Sequence, residues 1–304
     1  MKVLAIFIRI ISLIKVIFVS QMKTRRKMTF YLCLAISALM MGEAQATAPK
    51  DSIAFMNATW KEIPLQKNAK AYYAQMEIFN STQSISIVKY RTRRFKTEIA
   101  QLEKGESSTV SEFGRNFGTT FALNGSYFNM KTFHPVTFTY TDGEVHGRTS
   151  AKELSRSNGV LAIKGRKIEI MPCDTSSYME IARTHESVLA SGPVLVDDSK
   201  VVKYDIRNDG FYDKRHPRTF IGYSKGFTYL VVIDGRFDGN GEGTTIEETA
   251  YIAYLLGLED AINLDGGGSS TLWTDRTGVL NHPSDNKKFD HLGERKIPNF
   301  ISVK

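Results

Sequence analysis

The sequence has few of the residues that build disulfide scaffolds and transition-metal sites. It contains only two cysteines and six histidines among 304 residues. Cys33 lies in the export signal inferred below, so Cys173 has no partner for an intrachain disulfide. The histidines are scattered, and no two have the spacing of paired metal ligands. We therefore expect an exported chain to depend on its hydrophobic core, and we predict no metal site from cysteine or histidine.

A long uninterrupted hydrophobic run is also absent. The first apolar run, residues 3–19, is broken by two basic residues and is a poor membrane span. A better export signal begins at Met22, where a basic stretch precedes an apolar stretch to Gly42 and the small residues Ala44 and Ala46. We therefore expect translation to begin at Met22, cleavage after Ala46, and a periplasmic or extracellular product without a stable membrane anchor. A retained signal anchor is the alternative.

An excess of basic charge is missing once this signal is set aside. The whole chain has 40 Lys and Arg against 32 Asp and Glu, for a net charge of +8. Residues 1–46 hold seven of the basic residues and one of the acidic ones, which leaves 33 against 31 in the remainder. The high charge thus belongs to the export signal, and we predict no nucleic-acid partner. The oligomeric state is left open.

No repeat, low-complexity tract or linker divides residues 47–304. We predict one α+β domain, dominated by antiparallel or mixed β-sheet with few helices. Residues 47–119 would form a lead-in and the first strands, with a strand and loop over 47–70, and residues 120–304 the catalytic core. Apolar runs and alternation predict strands at 71–80, 85–89, 120–123, 136–140, 160–163, 167–171, 188–189, 194–196, 220–223, 228–233 and 261–264.

Local turn and cap signals support this outline. Lys164-Gly165 and Lys225-Gly226 each lie between β-rich runs and predict hairpin turns. Short helices are predicted over 110–117 and 176–186, and a longer one over 246–258. Thr245 and Glu248 form a capping-box pattern at the start of the longest helix.

The most informative stretch follows the strand at 261–264. Asp265 ends this strand and is followed by Gly266, Gly267, Gly268, Ser269 and Ser270. Glycines without a Cβ let backbone N–H groups converge, so this turn predicts an anion site with Asp265 at its lip. A flexible Gly/Ser turn is the simpler alternative.

A second strand ends in the same way, at Asp234-Gly235-Arg236. Two strands that finish on Asp-Gly could place two carboxylates on one rim, as a glycosidase requires. Arg218 and Arg236 would suit a phosphate through paired guanidinium hydrogen bonds. Each of these residues alone is more simply an exposed polar side chain.

The loop 238–245 is rich in glycine and enters a helix N-terminus, which predicts an anion site at Thr244. Asp238, Asn240 and Glu242 also match half of a calcium loop, but the closing glutamate is replaced by Thr249. Asn124-Gly125 lies at a strand end and is explained by a tight turn when considered alone, and Gly192 opens a strand and carries no functional signal by itself.

Together, these segments resemble the phosphodiester glycosidase family. The motifs NGSYF, SGPVLV, HPRTFIGY, VVIDGR, GEGTTIEETAYIAYLLG and AINLDGGGSSTLW occur in the family's order and spacing, from about residue 120 to the C-terminus. Ser126 and Asn129 depart from the pattern, since glycine and aspartate are common there, so no acid/base role is assigned to Asn129.

The resemblance implies a secreted hydrolase that cleaves a sugar-1-phosphodiester, similar to an N-acetylglucosamine-1-phosphodiester, in envelope or polysaccharide material. No cofactor is implied. The catalytic candidates are Asp265, Asp234 and Glu248, although a helix cap alone would explain Glu248. The candidates for binding the sugar or phosphate are Arg218, Arg236, Asn124, His216, Gly192, Thr244, Gly266, Gly267, Gly268, Ser269 and Ser270.

Two other functions fit the same sequence. One is a carbohydrate- or cell-wall-binding protein without catalysis, which the intact Asp, Arg and Gly set disfavours. The other is a metal-dependent phosphodiesterase that cuts the P–O bond, whose usual His/Asp clusters are missing.

Overall fold

A computed structural model describes residues 49–204 and 210–304. Contacts group residues 51–304 into one compact unit. The predicted start, export signal and cleavage site lie outside the described residues. No helix among the described residues is both long and apolar enough to cross a membrane.

The largest sheet in the described chain has eight antiparallel strands. Its order is β1-β2-β3-β16-β15-β17-β13-β14. These strands are β1 (Lys61–Gln66), β2 (Ala69–Ile78), β3 (Ser81–Arg91), β13 (Val194–Asp197), β14 (Lys200–Val201), β15 (Arg218–Ser224), β16 (Phe227–Ile233) and β17 (Asp260–Asn263).

Two five-stranded antiparallel sheets pack with it. The first has the order β11-β10-β12-β8-β9, from strands β8 (Thr139–Thr141), β9 (Glu144–Gly147), β10 (Gly159–Lys164), β11 (Lys167–Pro172) and β12 (Ser187–Ser191). The second has the order β19-β18-β5-β20-β4, from β4 (Thr97–Gln101), β5 (Phe121–Asn124), β18 (Leu272–Thr274), β19 (Gly278–Val279) and β20 (Asn299–Val303). Strands β6 (Phe128–Asn129) and β7 (His134–Pro135) form a separate pair.

The main hydrophobic core lies between the three larger sheets. It joins Val88 and Ile221 of the eight-stranded sheet to Leu161 of one smaller sheet and Leu123 and Ile301 of the other. The α-helices in the described residues cover outer faces; they are α1 (Pro49–Asn57), α2 (Val110–Asn116), α3 (Tyr178–Ala182), α4 (Gly210–Asp213) and α5 (Ile246–Leu255). The α+β class with dominant antiparallel sheet is confirmed.

Several local predictions are also confirmed. Lys225 and Gly226 both have positive φ in the hairpin between β15 and β16, and Gly165 has positive φ between β10 and β11. The capping box of Thr245 and Glu248 begins α5. The prediction for residues 47–70 missed helix α1, whose sequence has no clear cap or wide apolar stripe.

The sheet order explains why the site residues meet. Strand β15 lies between β16 and β17 and runs antiparallel to both. The ends of β16 and β17 therefore reach the edge at which β15 begins with Arg218. Neighbouring strands are about 4.8 Å apart, so Asp234 and Asp265 leave the sheet from chains separated by roughly 10 Å.

Candidate active site

The two Asp-Gly turns pack against one proline. A Cβ at Gly266 would lie 2.6 Å from the carbonyl oxygen of Pro217, and a Cβ at Gly235 would collide with the Pro217 backbone nitrogen. The Gly267 N–H also donates to the Pro217 carbonyl at 2.9 Å. Pro217 thus holds both turns at the start of β15, and any larger side chain at either glycine would separate them.

The other two glycines of the DGGGSS turn leave room for cations. Gly267 has φ +63, and a Cβ there would lie 2.9 Å from Arg236 Nη2. A Cβ at Gly268 would collide with Asp285 and Arg295. Gly266 and Gly268 are therefore favoured by close approaches and Gly267 by its positive φ, and guanidinium groups lie beside Gly267 and Gly268.

Asp265 lies at the centre of this arrangement. Burial is the main effect on its carboxyl group and raises its pKa to about 6. The Ser269 side chain, the Arg295 charge and the Gly266 N–H all act to lower the same pKa. The Gly266 N–H donates to Asp265 Oδ1 at 3.0 Å. A carboxyl group with this pKa can exchange a proton near neutral pH.

The backbone of the turn does not form the predicted anion cradle. The N–H groups of Gly266, Gly267, Ser269 and Ser270 all donate to oxygen atoms of the protein itself. Four of the five N–H groups from Gly266 to Ser270 are therefore used to fold the turn. The hydroxyl groups of Ser269 and Ser270 are buried. Ser270 Oγ has no hydrogen-bond partner in the part of the chain that the structure describes, and Ser269 Oγ lies beside the Asp265 carboxylate, whose pKa it lowers.

Asn124 fixes the backbone of Asp265, which differs from its predicted role as a ligand. Its side chain is completely buried and donates to the Asp265 carbonyl at 2.7 Å. Its Oδ1 accepts the Thr219 hydroxyl at 2.9 Å and the Thr271 N–H at 3.1 Å. We therefore assign Asn124 to positioning the turn.

Two cations of different character lie beside the turn. Arg236 is exposed, and its Nη1 donates to Ser284 Oγ at 3.3 Å. Arg295 is half-buried and donates twice to Asp285, with both hydrogen bonds at 2.8 Å. Arg236 is therefore the guanidinium group better placed to meet an anion, while Asp285 holds Arg295 in a fixed orientation.

A family model for phosphodiester glycosidase matches residues 117–304. The chain belongs to the phosphodiester glycosidase family. It is 26% identical over 189 residues to the bovine N-acetylglucosamine-1-phosphodiester alpha-N-acetylglucosaminidase and 24% identical over 188 residues to the mouse enzyme. Both matches cover 59% of this chain but only 35% and 36% of the relatives.

Solved structures share the fold of this phosphodiester glycosidase family member. The catalytic domain of the zebrafish N-acetylglucosamine-1-phosphodiester alpha-N-acetylglucosaminidase, auto-inhibited by its pro-peptide, aligns with a TM-score of 0.61 and 17% identity over 81% of this chain and 87% of that chain. A hypothetical protein from Synechocystis aligns with a TM-score of 0.57 and 15% identity over 81% of this chain and 63% of that chain.

In this family member, Asp234 is enclosed rather than open to substrate. Asp234 is 0% exposed, and its carboxylate accepts four hydrogen bonds. Oδ1 accepts Asn281 Nδ2 at 3.1 Å and the His282 N–H at 2.8 Å, while Oδ2 pairs with Ser84 Oγ at 2.6 Å and His282 Nδ1 at 2.9 Å. These contacts make Asp234 a positioning group for His282 and for Asn281, whose Nδ2 also donates to the Ser270 carbonyl.

Arg218 is likewise internal. It is 2% exposed, and burial is the main effect that lowers the pKa of its guanidinium to about 10. Nε donates to the Thr244 carbonyl at 2.9 Å, and Nη2 donates to the carbonyls of Phe211 and Lys214 at 2.7 and 3.0 Å. The structure thus gives Arg218 a different task from the predicted phosphate contact: it ties helix α4 to the loop before α5.

Glu248 is occupied by its cap and by an ion pair. Its Oε2 accepts the Thr245 N–H at 3.0 Å, and its two carboxylate oxygens bind Arg215 at 2.7 and 3.1 Å. The capping interpretation explains Glu248, and we exclude it from the proposed catalytic groups. Glu242, one of the calcium-loop residues, accepts the Thr82 N–H at 3.2 Å. The described residues contain no group of three or more His, Cys, Asp or Glu able to hold a metal ion.

The remaining predicted ligands are held by internal contacts. His216 pairs through its backbone with Thr244, and its Nε2 contacts the Gly210 carbonyl at 3.1 Å. Burial is the main effect that lowers the pKa of His216. The Thr244 hydroxyl contacts the hydroxyl of Thr249 at 2.9 Å. The carbonyl of Gly192, which precedes a cis Pro193, accepts the hydroxyl of Tyr127.

Sequence reasoning missed three residues at this site: Arg295, Asp285 and His282. All three come from the segment after β19, which has no strand or helix pattern. The Pro-Ser-Asp triplet at 283–285 was the available signal for a turn.

Proposed function

We propose that this protein hydrolyses a sugar-1-phosphodiester at the glycosidic C–O bond. The observation that carries the proposal is Asp265, a carboxyl group with a pKa of about 6 on a glycine turn bordered by Arg236 and Arg295. Cleavage of such a bond needs a proton donor or acceptor near the anomeric carbon and positive charge near the phosphate. Asp265 offers the first, and the two arginines beside its turn offer the second.

In the proposed reaction, Asp265 protonates the bridging oxygen as the bond between that oxygen and the anomeric carbon breaks. Its raised pKa keeps a useful fraction of the carboxyl group protonated at mildly acidic pH. The Arg236 guanidinium would receive the phosphate oxygens, and Arg295 would add positive charge behind it. The buried hydroxyls of Ser269 and Ser270 offer further hydrogen-bonding groups at the turn.

The substrate class follows from the relatives that the chain resembles. The bovine and mouse enzymes are named for N-acetylglucosamine-1-phosphodiesters. We propose a similar sugar-phosphate diester here, in bacterial envelope or polysaccharide material, reached by export of the protein. The chain covers about a third of those relatives, so this assignment concerns the matched domain.

Isotope-labelled water tests the bond that is cut. Hydrolysis of N-acetylglucosamine-1-phosphodiesters in ¹⁸O water should place the label in the released sugar, because water attacks carbon. Mass spectrometry of both products gives the result directly. Label in the phosphate would show P–O cleavage and support the phosphodiesterase alternative, whereas binding without turnover would support the carbohydrate-binding alternative.

Export is tested separately. We expect the exported protein to begin at Thr47 or within a few residues, because Ala44 and Ala46 follow an apolar stretch in the pattern of a cleavage site. N-terminal sequencing of protein recovered outside the cytoplasm would show the start. An intact Met1 or Met22 on that product would contradict the proposal.

A further inference from the structure

Glu153 is a buried carboxylate that the reaction described above leaves unused. The residue is 7% exposed, and its Oε2 has no hydrogen-bond partner in the described part of the chain. An ion pair joins Oε2 to Arg156 Nη1 at 3.8 Å, which is too long for a hydrogen bond. Burying an acceptor without a donor costs free energy, so such a group calls for a functional explanation.

The segment that carries Glu153 packs beside the end of β17. A Cβ at Gly192 would collide with the carbonyl oxygen of Arg156, so the two backbones touch. The Gly192 carbonyl in turn accepts Asn263 Nδ2 at 2.9 Å. Asn263 is the last residue of β17, two residues before Asp265. A short chain of contacts therefore connects the Glu153 segment to the catalytic turn.

Electrostatics agree with this placement. Burial is the main effect that raises the pKa of Asp265, and the negative charge of Glu153 raises it further. Burial also raises the pKa of Tyr127 most, with smaller effects in the same direction from Asp265 and Glu153. The hydrogen bonds of the described residues include none between the two carboxyl groups. Both carboxylates therefore act electrostatically on Tyr127.

We propose that Glu153 is the second carboxylate of the glycosidase pair and takes the proton from the attacking water. This inference rests on the proposed function, because it needs hydrolysis at the anomeric carbon. Glycosidases of the single-displacement type use one carboxyl group as acid and a second as base, with a water between the base and the sugar. Glu153 thus takes the role of second carboxylate beside Asp265, which the sequence analysis had given to Asp234.

The step balances with these two groups. The water oxygen bonds to the anomeric carbon as the bond to the phosphate oxygen breaks, and the bonding electron pair leaves with that oxygen. Glu153 accepts one proton of the water, and Asp265 gives its proton to the departing phosphate. The products are a free sugar of inverted configuration and a phosphomonoester, and solvent restores both protonation states.

Glu153→Gln tests the proposal, since the amide keeps the shape but cannot accept the proton. We expect kcat to fall about 100- to 10,000-fold, the range for loss of a general base, with a melting temperature no lower than that of the parent. Glu180→Gln, at an exposed position on α3, is the matched control and should retain the parent rate. A rate within tenfold of the parent for a folded Glu153→Gln protein would overturn the proposal.

A second variant separates catalysis from packing. In Glu153→Ala, azide can enter the space of the lost carboxylate and attack the anomeric carbon without a base. We expect azide to restore turnover and to yield a glycosyl azide of inverted configuration, identified by NMR. A parent product of retained configuration would refute the role as base.

Failure of the proposed function would look different, because the parent itself would not hydrolyse any sugar-1-phosphodiester. The catalytic role of Glu153 would then be refuted too, but the pKa of Asp265 would still show whether the Glu153 carboxylate lies near it. NMR titration of the Asp265 carboxyl carbon should show a lower pKa in Glu153→Gln, since a nearby negative charge is removed. An unchanged Asp265 pKa would refute the placement.

Discussion

Asp265→Asn should lower kcat by about 100- to 10,000-fold, because an amide cannot deliver the proton that the departing phosphate oxygen needs. The rate of the parent should fall as pH rises above about 6, where Asp265 loses its proton. The residual rate of the variant should lack this descending limb. Steady-state kinetics from pH 4.5 to 8 on one sugar-1-phosphodiester would measure both effects.

The same variant should gain stability at neutral pH. The pKa of Asp265 is raised from an ordinary 3.8 to about 6 in the folded protein, so the fold disfavours its ionised form. The folded protein therefore loses stability as pH rises from about 4 to 6, and the destabilisation by the ionised Asp265 persists at higher pH. Removing the charge should recover on the order of 1–3 kcal/mol at pH 7.5 and nothing below pH 4.

Asp275→Asn provides the control for both measurements, since Asp275 is exposed in the turn after β18. It should leave the rate, the pH profile and the unfolding free energy unchanged. If Asp265→Asn retains more than a tenth of the parent rate, less than about 1.4 kcal/mol of barrier is involved. Asp265 would then be a structural turn residue.

The sequence suggested that the two Asp-Gly ends lie on one rim, and the structure brings both turns against Pro217. The apolar runs before Asp234 and Asp265 are strong strand signals, and the Lys225-Gly226 hairpin fixes β15 beside β16. Two strands that end on Asp-Gly beside the start of a third must share an edge. Which carboxylate stays open could not be predicted, because loops distant in sequence decide its burial.

Asp234 shows this most directly. Its four hydrogen-bond partners come from Ser84 on β3 and from residues 281–282, which are 150 positions before it and 47–48 after it. No local sequence pattern predicts contacts between residues so far apart in the chain. Glu153 was missed for the same reason, since its segment has no strand alternation and its contact with Gly192 comes from a distant part of the sequence. Arg218 has a polar side chain that sequence assigns to the surface, yet backbone carbonyls enclose it.

Asp234→Ala should produce the largest stability loss among the site residues. The change leaves the donors from Ser84, Asn281 and His282 without an acceptor in a site that is 0% exposed. Breaking one partner of a buried polar set typically costs about 3–5 kcal/mol. For a protein of this size that corresponds to a melting temperature lower by on the order of 10 °C. Urea unfolding with a constant slope would measure the free energy.

Asp234→Asn gives the sharper test of what Asp234 does. The amide oxygen can still accept Asn281 Nδ2 and the His282 N–H, while its NH₂ group must now donate to Ser84 and to His282 Nδ1. His282 Nδ1 has to accept that bond, so its proton should reside on Nε2, which ¹⁵N NMR of the imidazole detects. We expect this tautomer shift with a smaller stability loss than in Asp234→Ala. If Asp234 instead does chemistry, Asp234→Asn should abolish turnover while the His282 spectrum stays unchanged, and the positioning role would be wrong.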